Sequence, residues 1–190
     1  GNILSYSFIR NGKRQIDYTQ GNQSENLINR ASADIRNHID TSKWIKLGIE
    51  NGRLFILSPN ALFEYSADEW KSLVNYSLDD FYINTLKYRR SMSMLPTRNL
   101  IVRDTFVYFL QEVVQDRTCN LFRLNISNGT IENYFTTLDY RDNYAKQVND
   151  FTFLDDGSLL VCASRLVGNN MLIKTKGGKG NSKMTIALNH

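Results

Sequence analysis

The sequence is poor in the residues that most often carry enzyme chemistry. Its 190 residues include two histidines, His38 and His190, and two cysteines. Neither histidine has a metal-ligand partner at helical or hairpin spacing, and no Gly-x-Ser-x-Gly nucleophile motif is present. We therefore predict a chain with no catalytic residue, no metal site and no cofactor.

The two cysteines, Cys119 and Cys162, are too few for a disulfide framework and lack the Cys-x-x-Cys spacing of zinc and redox sites. Cys162 lies within an apolar run, which favours a buried free thiol. A disulfide bridge between the two is the alternative. It requires a short distance between their Cα atoms, which the sequence does not give.

Proline and long apolar runs are also scarce. No run approaches the ~18 residues of a membrane-spanning helix, so we predict no membrane span in this segment. With 12 % aromatic and 42 % hydrophobic residues, disorder of the whole chain is excluded, and one compact domain is expected. The net charge of +4 is dispersed along the chain, which argues against a nucleic-acid partner.

Three stretches of the chain repeat one pattern: an apolar run, a polar turn and a more continuous apolar run. Their turns are centred near residues 52, 105 and 157, about 52 residues apart, and two further strand-like runs follow each of them. The pattern therefore predicts four antiparallel strands in each unit, and it predicts that the second strand is buried on both faces. These second strands are predicted at Leu54–Leu57, Phe106–Leu110 and Leu159–Cys162.

The N-terminal segment matches only the second half of this pattern. Residues 3–19 align with residues 120–136 across an Asn-Gly turn, which is typical of tight hairpins. Residues 24–39 place apolar side chains at helical spacing behind Ser24, which predicts a short helix capped by Ser24. An extended crossing strand is the alternative.

In this pattern the chain resembles the β-propellers with loosely repeated blades. Residues 32–55, with the run Trp44-Ile45-Lys46-Leu47-Gly48 followed by Asn51-Gly52, are similar to the repeats of periplasmic propellers of bacterial two-component sensors, although the Gly-Thr step of those repeats is missing. We predict an all-β, propeller-like single domain of about three and a half four-stranded antiparallel blades, a fragment of a larger propeller. Its parts are a half blade 1–20, a linker or short helix 21–42, and blades 43–78, 99–138 and 148–190. A β-sandwich is the alternative.

The loops that join successive blades gather on one face of a propeller, and function is usually carried by such loops. Two of them, 79–98 and 136–147, are rich in tyrosine and arginine, which are enriched at interface hot spots. The predicted ligand- or partner-binding residues are Tyr82, Tyr88, Arg89, Arg90, Tyr140, Arg141 and Tyr144. The alternative is that these tyrosines only pack over the blades.

The function predicted from these features is a non-catalytic ligand- or protein-binding or sensing module. The alternatives are part of a secreted carbohydrate-active or other hydrolytic propeller enzyme, and a β-sandwich interaction domain. The run Asp155-Asp156-Gly157-Ser158 resembles the Asp-box of some propellers, although a hairpin turn explains it more simply.

The predicted partners are the remaining blades of a longer chain or a second copy in a homodimer, together with a small ligand, glycan or protein on the loop face. The resemblance to sensor propellers implies an extracytoplasmic location, either periplasmic or secreted.

Overall fold

A computed structural model describes residues 3–8, 13–78, 80, 100–113, 118–135, 145–165, 170–175 and 184–187. These residues are mostly in antiparallel strands, with one α-helix among them, so the predicted all-β class is confirmed. None of the helical residues described belongs to a helix long and apolar enough to cross a membrane.

The strands of the described residues form four antiparallel sheets, and within each sheet the hydrogen-bonded neighbours follow one another along the chain. The first sheet has three strands: β1 (Ile3–Phe8), β2 (Arg14–Gln20) and β3 (Gln23–Asn26). The second has β4 (Lys46–Glu50), β5 (Arg53–Leu57), β6 (Ala61–Ser66) and β7 (Glu69–Asn75). The third has β8 (Leu100–Arg103), β9 (Phe106–Val113), β10 (Thr118–Asn125) and β11 (Ile131–Phe135). The fourth has β12 (Ala145–Phe153), β13 (Leu159–Arg165), β14 (Asn170–Thr175) and β15 (Met184–Ala187).

Each of the three apolar runs predicted as a second strand occupies that position in a separate sheet. They lie in β5, β9 and β13, and each pairs with the strand before it and the strand after it. Residues Leu54–Leu57 are all buried, as are the residues of β9 from Val107 to Leu110. Phe106, Leu160 and Cys162 are half-buried, so burial is less complete at the beginning of β9 and in β13.

Alternate residues of the second strands contribute to different hydrophobic cores. In β5, Phe55 and Leu57 pack with the third sheet, whereas Leu54 and Ile56 pack with the first sheet and the helical segment. In β9, Phe109 packs with the second sheet and Leu110 packs with the fourth. The period-2 alternation of side chains along a strand therefore gives each of these two strands two buried faces, and the sheets stack in chain order with an apolar cluster at each interface.

The segment between the first and second sheets contains a 3₁₀-helix at Leu27–Arg30 and the α-helix α1 at Ala33–Thr41. The predicted cap at Ser24 is wrong: Ser24 lies in β3, and the side chain of Ser32 accepts a hydrogen bond from Ile35 N at 3.4 Å. Asn26 ends the third strand and caps the 3₁₀-helix, because its side chain accepts hydrogen bonds from the backbone N–H groups of Ile16 and Ile28.

The C-terminal end of α1 is fastened to the first sheet by Arg14, which is 5 % exposed. Its guanidinium donates to the carbonyl oxygens of Ile39, at 2.9 Å, and Ser42, and its backbone N–H donates to the Asp40 carboxylate at 2.8 Å. A cation at this position also complements the negative end of the helix dipole. The first sheet, the helix and their apolar side chains therefore form one packed unit.

Candidate functional site

The seven tyrosines and arginines predicted as a binding surface lie at positions 82–90 and 140–144, outside the described residues. Their role stays a prediction. A different set of tyrosine, arginine and phenylalanine side chains is brought together where the third sheet meets the fourth. We call it the Arg103–Arg123 cluster; it comprises Arg103, Phe106, Tyr108, Arg123, Glu132, Tyr134 and Phe153.

Strand register brings the centre of this cluster together. Tyr108 of β9 lies opposite Arg123 of β10, and Arg123 lies opposite Glu132 of β11. Residues directly opposite in antiparallel strands have their side chains on the same face, so these three form a row across the third sheet. Phe153 approaches from the end of β12, with its ring centroid 4.7 Å from that of Tyr108.

The Arg123 guanidinium lies between two aromatic rings, 4.5 Å from the centroid of Phe106 and 5.1 Å from that of Tyr134. Its Nη2 donates to Glu132 Oε2 at 3.0 Å, whereas its buried Nε has no hydrogen-bond partner among the described residues. Burial disfavours the charge, but the hydrogen bond and charge of Glu132 outweigh it, and the pKa of Arg123 is raised. Arg123 is thus held in place, and the Glu132 carboxylate balances most of its positive charge.

Arg103 ends β8 and lies over the ring of Phe153, 5.0 Å from its centroid. Its side chain is 40 % exposed, and the nearest carboxylate oxygen, from Asp104, is 4.0 Å away. That distance is too long for a hydrogen bond, and among the described residues the guanidinium makes none. Arg103 therefore lies against the Phe153 ring at the β8–β9 turn, and its guanidinium donates no hydrogen bond to a described residue.

Tyr134 lies close enough to Arg103 and Arg123 for the charges of both to affect its pKa. Burial and the neighbouring Tyr108 phenol raise the pKa of Tyr134, and the charges of Arg123 and Arg103 partly offset that rise. The phenol is therefore neutral at physiological pH, and its hydroxyl has no hydrogen-bond partner in the described part of the chain. Together, Arg103 and Tyr134 offer donors for an anion beside an aromatic surface.

A second polar arrangement has the distance of a catalytic pair but not the accessibility. His38 Nε2 of α1 lies 3.0 Å from Ser58 Oγ, which is within the range of a base and a nucleophile. Ser58 is 0 % exposed, and its hydroxyl also bonds the backbone N–H and carbonyl of Ala61, at 3.0 Å and 2.9 Å. Because no substrate can reach this hydroxyl, we assign the pair a structural role: it joins α1 to the β5–β6 connection. Sequence reasoning missed it, since nothing in the sequence links these two positions.

The carboxylate of the Asp-Gly turn is also used internally. Asp156 accepts hydrogen bonds from the backbone N–H of Ser158 at 2.9 Å, from the Ser158 hydroxyl and from Lys174 Nζ at 2.9 Å. These contacts hold the pKa of Asp156 well below its usual value. Asn128 bonds Thr130 N and Oγ1 in the same way, at 3.0 Å and 2.8 Å, so a neutral amide can build the same turn.

Metal-binding arrangements are absent from the described ranges, where no group of three or more histidine, cysteine, aspartate or glutamate side chains could hold an ion. Cys162 is a half-buried free thiol. Within this part of the chain, the Arg103–Arg123 cluster differs from these arrangements, because Arg103 and Tyr134 donate no hydrogen bond to a described residue.

Comparisons of the sequence with protein-family models and with curated proteins find no match.

Proposed function

We propose that this chain is a non-catalytic ligand- or protein-binding module, built from consecutive blades of a propeller-like array. The proposal for the array is supported by the shared strand order of the sheets, each of which is a simple antiparallel meander. It is also supported by the cores: three apolar clusters separate four sheets, whereas a β-sandwich has one core between two sheets.

The observation that carries the binding function is that the Arg103–Arg123 cluster has hydrogen-bond donors without partners among the described residues. Arg103 and Tyr134 have donors without hydrogen-bond partners among the described residues, on a half-exposed surface of aromatic rings. Arginine and tyrosine on such a surface are enriched at binding hot spots. By contrast, the polar groups of Ser58 and Asp156 are occupied by partners within the fold.

A second proposal concerns assembly. The first sheet has three strands, and in the described residues nothing pairs with the outer side of β1. An open strand edge presents backbone donors and acceptors to another chain. We propose that further blades of a longer chain, or a second copy of this chain, complete this edge.

The binding proposal is tested by thermal unfolding of the wild type and Arg103→Ala with four probes: an acidic peptide, a basic peptide, a neutral oligosaccharide and a single-stranded oligonucleotide. A ligand that binds only the native state raises the melting temperature, and the rise grows as the ligand concentration exceeds its dissociation constant. We expect at least one probe to raise that of the wild type and to lose most of its effect on Arg103→Ala. The proposal fails if no probe stabilises the wild type, or if every effective probe stabilises both proteins equally.

A further inference from the structure

We propose that the Arg103–Arg123 cluster binds a carboxylate side chain of an acidic protein segment. This inference rests on the binding function proposed above and specifies its ligand. A guanidinium presents a planar fork of N–H groups that matches the two oxygens of a carboxylate. The Arg103 fork has no hydrogen bond within the described residues, and its contact with the Phe153 ring restricts its conformational freedom before a ligand arrives.

The charges around the cluster favour a ligand with a single negative charge. The Glu132 carboxylate accepts a hydrogen bond from Arg123 at 3.0 Å and so offsets the positive charge of that guanidinium. Asp104 is 84 % exposed and stays 4.0 Å from Arg103, so solvent weakens its effect. About one positive charge therefore remains without a close partner, which suits a carboxylate better than a doubly charged phosphate.

The neighbouring groups add contacts that a carboxylate on a peptide could use. The Tyr134 hydroxyl, which both guanidinium charges influence, is neutral and free to donate a second hydrogen bond. Phe106 and Phe153 are half-buried and offer ring surface to the aliphatic part of a glutamate side chain. The glycine turn at 154–158 lies directly beside Arg103, because Arg103 Nη2 is 3.5 Å from where a Cβ of Gly157 would be, an ordinary van der Waals distance.

The chain offers a matched control in Arg53. Its side chain is 44 % exposed and its guanidinium lies 5.1 Å from the ring centroid of Phe55, so its exposure and stacking resemble those of Arg103. Arg53 differs in having a well-buried carboxylate, Glu64, at 3.7 Å. If binding needs an arginine whose charge no buried carboxylate offsets, removing Arg53 will have little effect.

The test is fluorescence anisotropy of a labelled hexaglutamate peptide with the 190-residue chain at low ionic strength. For Arg103→Ala we expect an affinity loss of about tenfold, and for Tyr134→Phe about threefold. Arg103→Lys should recover only part of the loss, because an ammonium lacks the fork, and Arg53→Ala should stay within about twofold of the wild type. Circular dichroism establishes that each variant is folded.

Three outcomes would overturn the inference: no hexaglutamate binding by the wild type, equal losses for Arg103→Ala and Arg53→Ala, or displacement of the peptide by inorganic phosphate far more readily than by acetate. The last result would assign the site to phosphate. If hexaglutamate fails but another probe still stabilises the wild type through Arg103, the carboxylate assignment is wrong while the binding function stands.

Discussion

Ser58 illustrates how single polar side chains hold this fold together. Its hydroxyl is fully buried and satisfies three groups at once: the N–H and the carbonyl of Ala61, and the ring nitrogen of His38. A buried polar group left without its partner costs about 1–3 kcal/mol. The pair is therefore expected to matter for stability and not for chemistry.

Substitution of Ser58 by alanine should lower the free energy of unfolding by about 2 kcal/mol, because it leaves His38 and the Ala61 N–H without a partner. Urea denaturation measures the change. Ser24→Ala removes an exposed hydroxyl and should change stability by less than about 0.5 kcal/mol. Equal stability of Ser58→Ala and Ser24→Ala would show that the buried hydrogen bonds are not formed.

Asp156 gives a prediction for the dependence of stability on pH. Its hydrogen bonds to Ser158 and Lys174 lower its pKa below the ordinary value of 3.8, so the folded state favours the ionised form. The stability that it contributes is complete above that ordinary value and is lost as the pH falls towards the lowered one. Asp156→Asn keeps an acceptor for Ser158, just as Asn128 provides one for Thr130, but its side chain cannot titrate.

We therefore expect the difference in unfolding free energy between the wild type and Asp156→Asn to be largest near neutral pH and to shrink below about pH 4. Denaturation at a series of pH values measures it. Asp155→Asn removes the same charge from the neighbouring position of the turn. If its difference shrinks equally over that range, net charge and not the hydrogen bonds is the cause.

At the scale of elements, the second and third sheets approach closely at the edge strands β4 and β8. A Cβ added to Gly48 would lie 2.6 Å from the Leu100 carbonyl oxygen and 3.0 Å from Leu100 Cβ. Both are nearer than side-chain carbons normally come, so glycine is needed here for packing. Lys46, on the same strand, donates from its buried Nζ to the Leu110 carbonyl and so joins β4 to β9.

Gly48→Ala should destabilise the protein by about 2 kcal/mol, since the added methyl group forces the two strands apart. Gly52→Ala is the control: its φ of +73° strains an alanine, yet no atom lies within 4 Å of the added carbon. Strain alone should cost about 1 kcal/mol at Gly52. A smaller loss at Gly48 than at Gly52, measured by chemical denaturation, would contradict the close contact of β4 with β8.

At the scale of the whole molecule, the sequence predicted the all-β class and the second strands of three sheets, because unbroken apolar runs between polar turns are a local signal. It did not predict β3, since the four residues Gln23–Asn26 are polar and their backbone pairing with β2 leaves no hydrophobic pattern in the sequence. The Arg103–Arg123 cluster was missed for a different reason. Its residues come from five strands, and only the strand register shows that they meet.

In the described residues nothing pairs with the outer side of β1, and this edge predicts association of the isolated chain. Size-exclusion chromatography with light scattering should give a mass that rises above the 22.0 kDa of one chain as concentration increases. Charged substitutions on β1 should reduce that rise. A mass of one chain at every concentration would contradict pairing with a second copy.

The central claim is that this chain binds through the surface formed by the third and fourth sheets. Amide chemical-shift mapping of the ¹⁵N-labelled chain, titrated with hexaglutamate, tests it most directly. We predict that the largest amide chemical-shift changes occur at Arg103, Glu132, Tyr134 and Phe153. The shift changes in α1 and at Ser58 should stay small. Largest changes in α1, or in the segments 79–98 and 136–147, would contradict the claim and place the binding surface elsewhere.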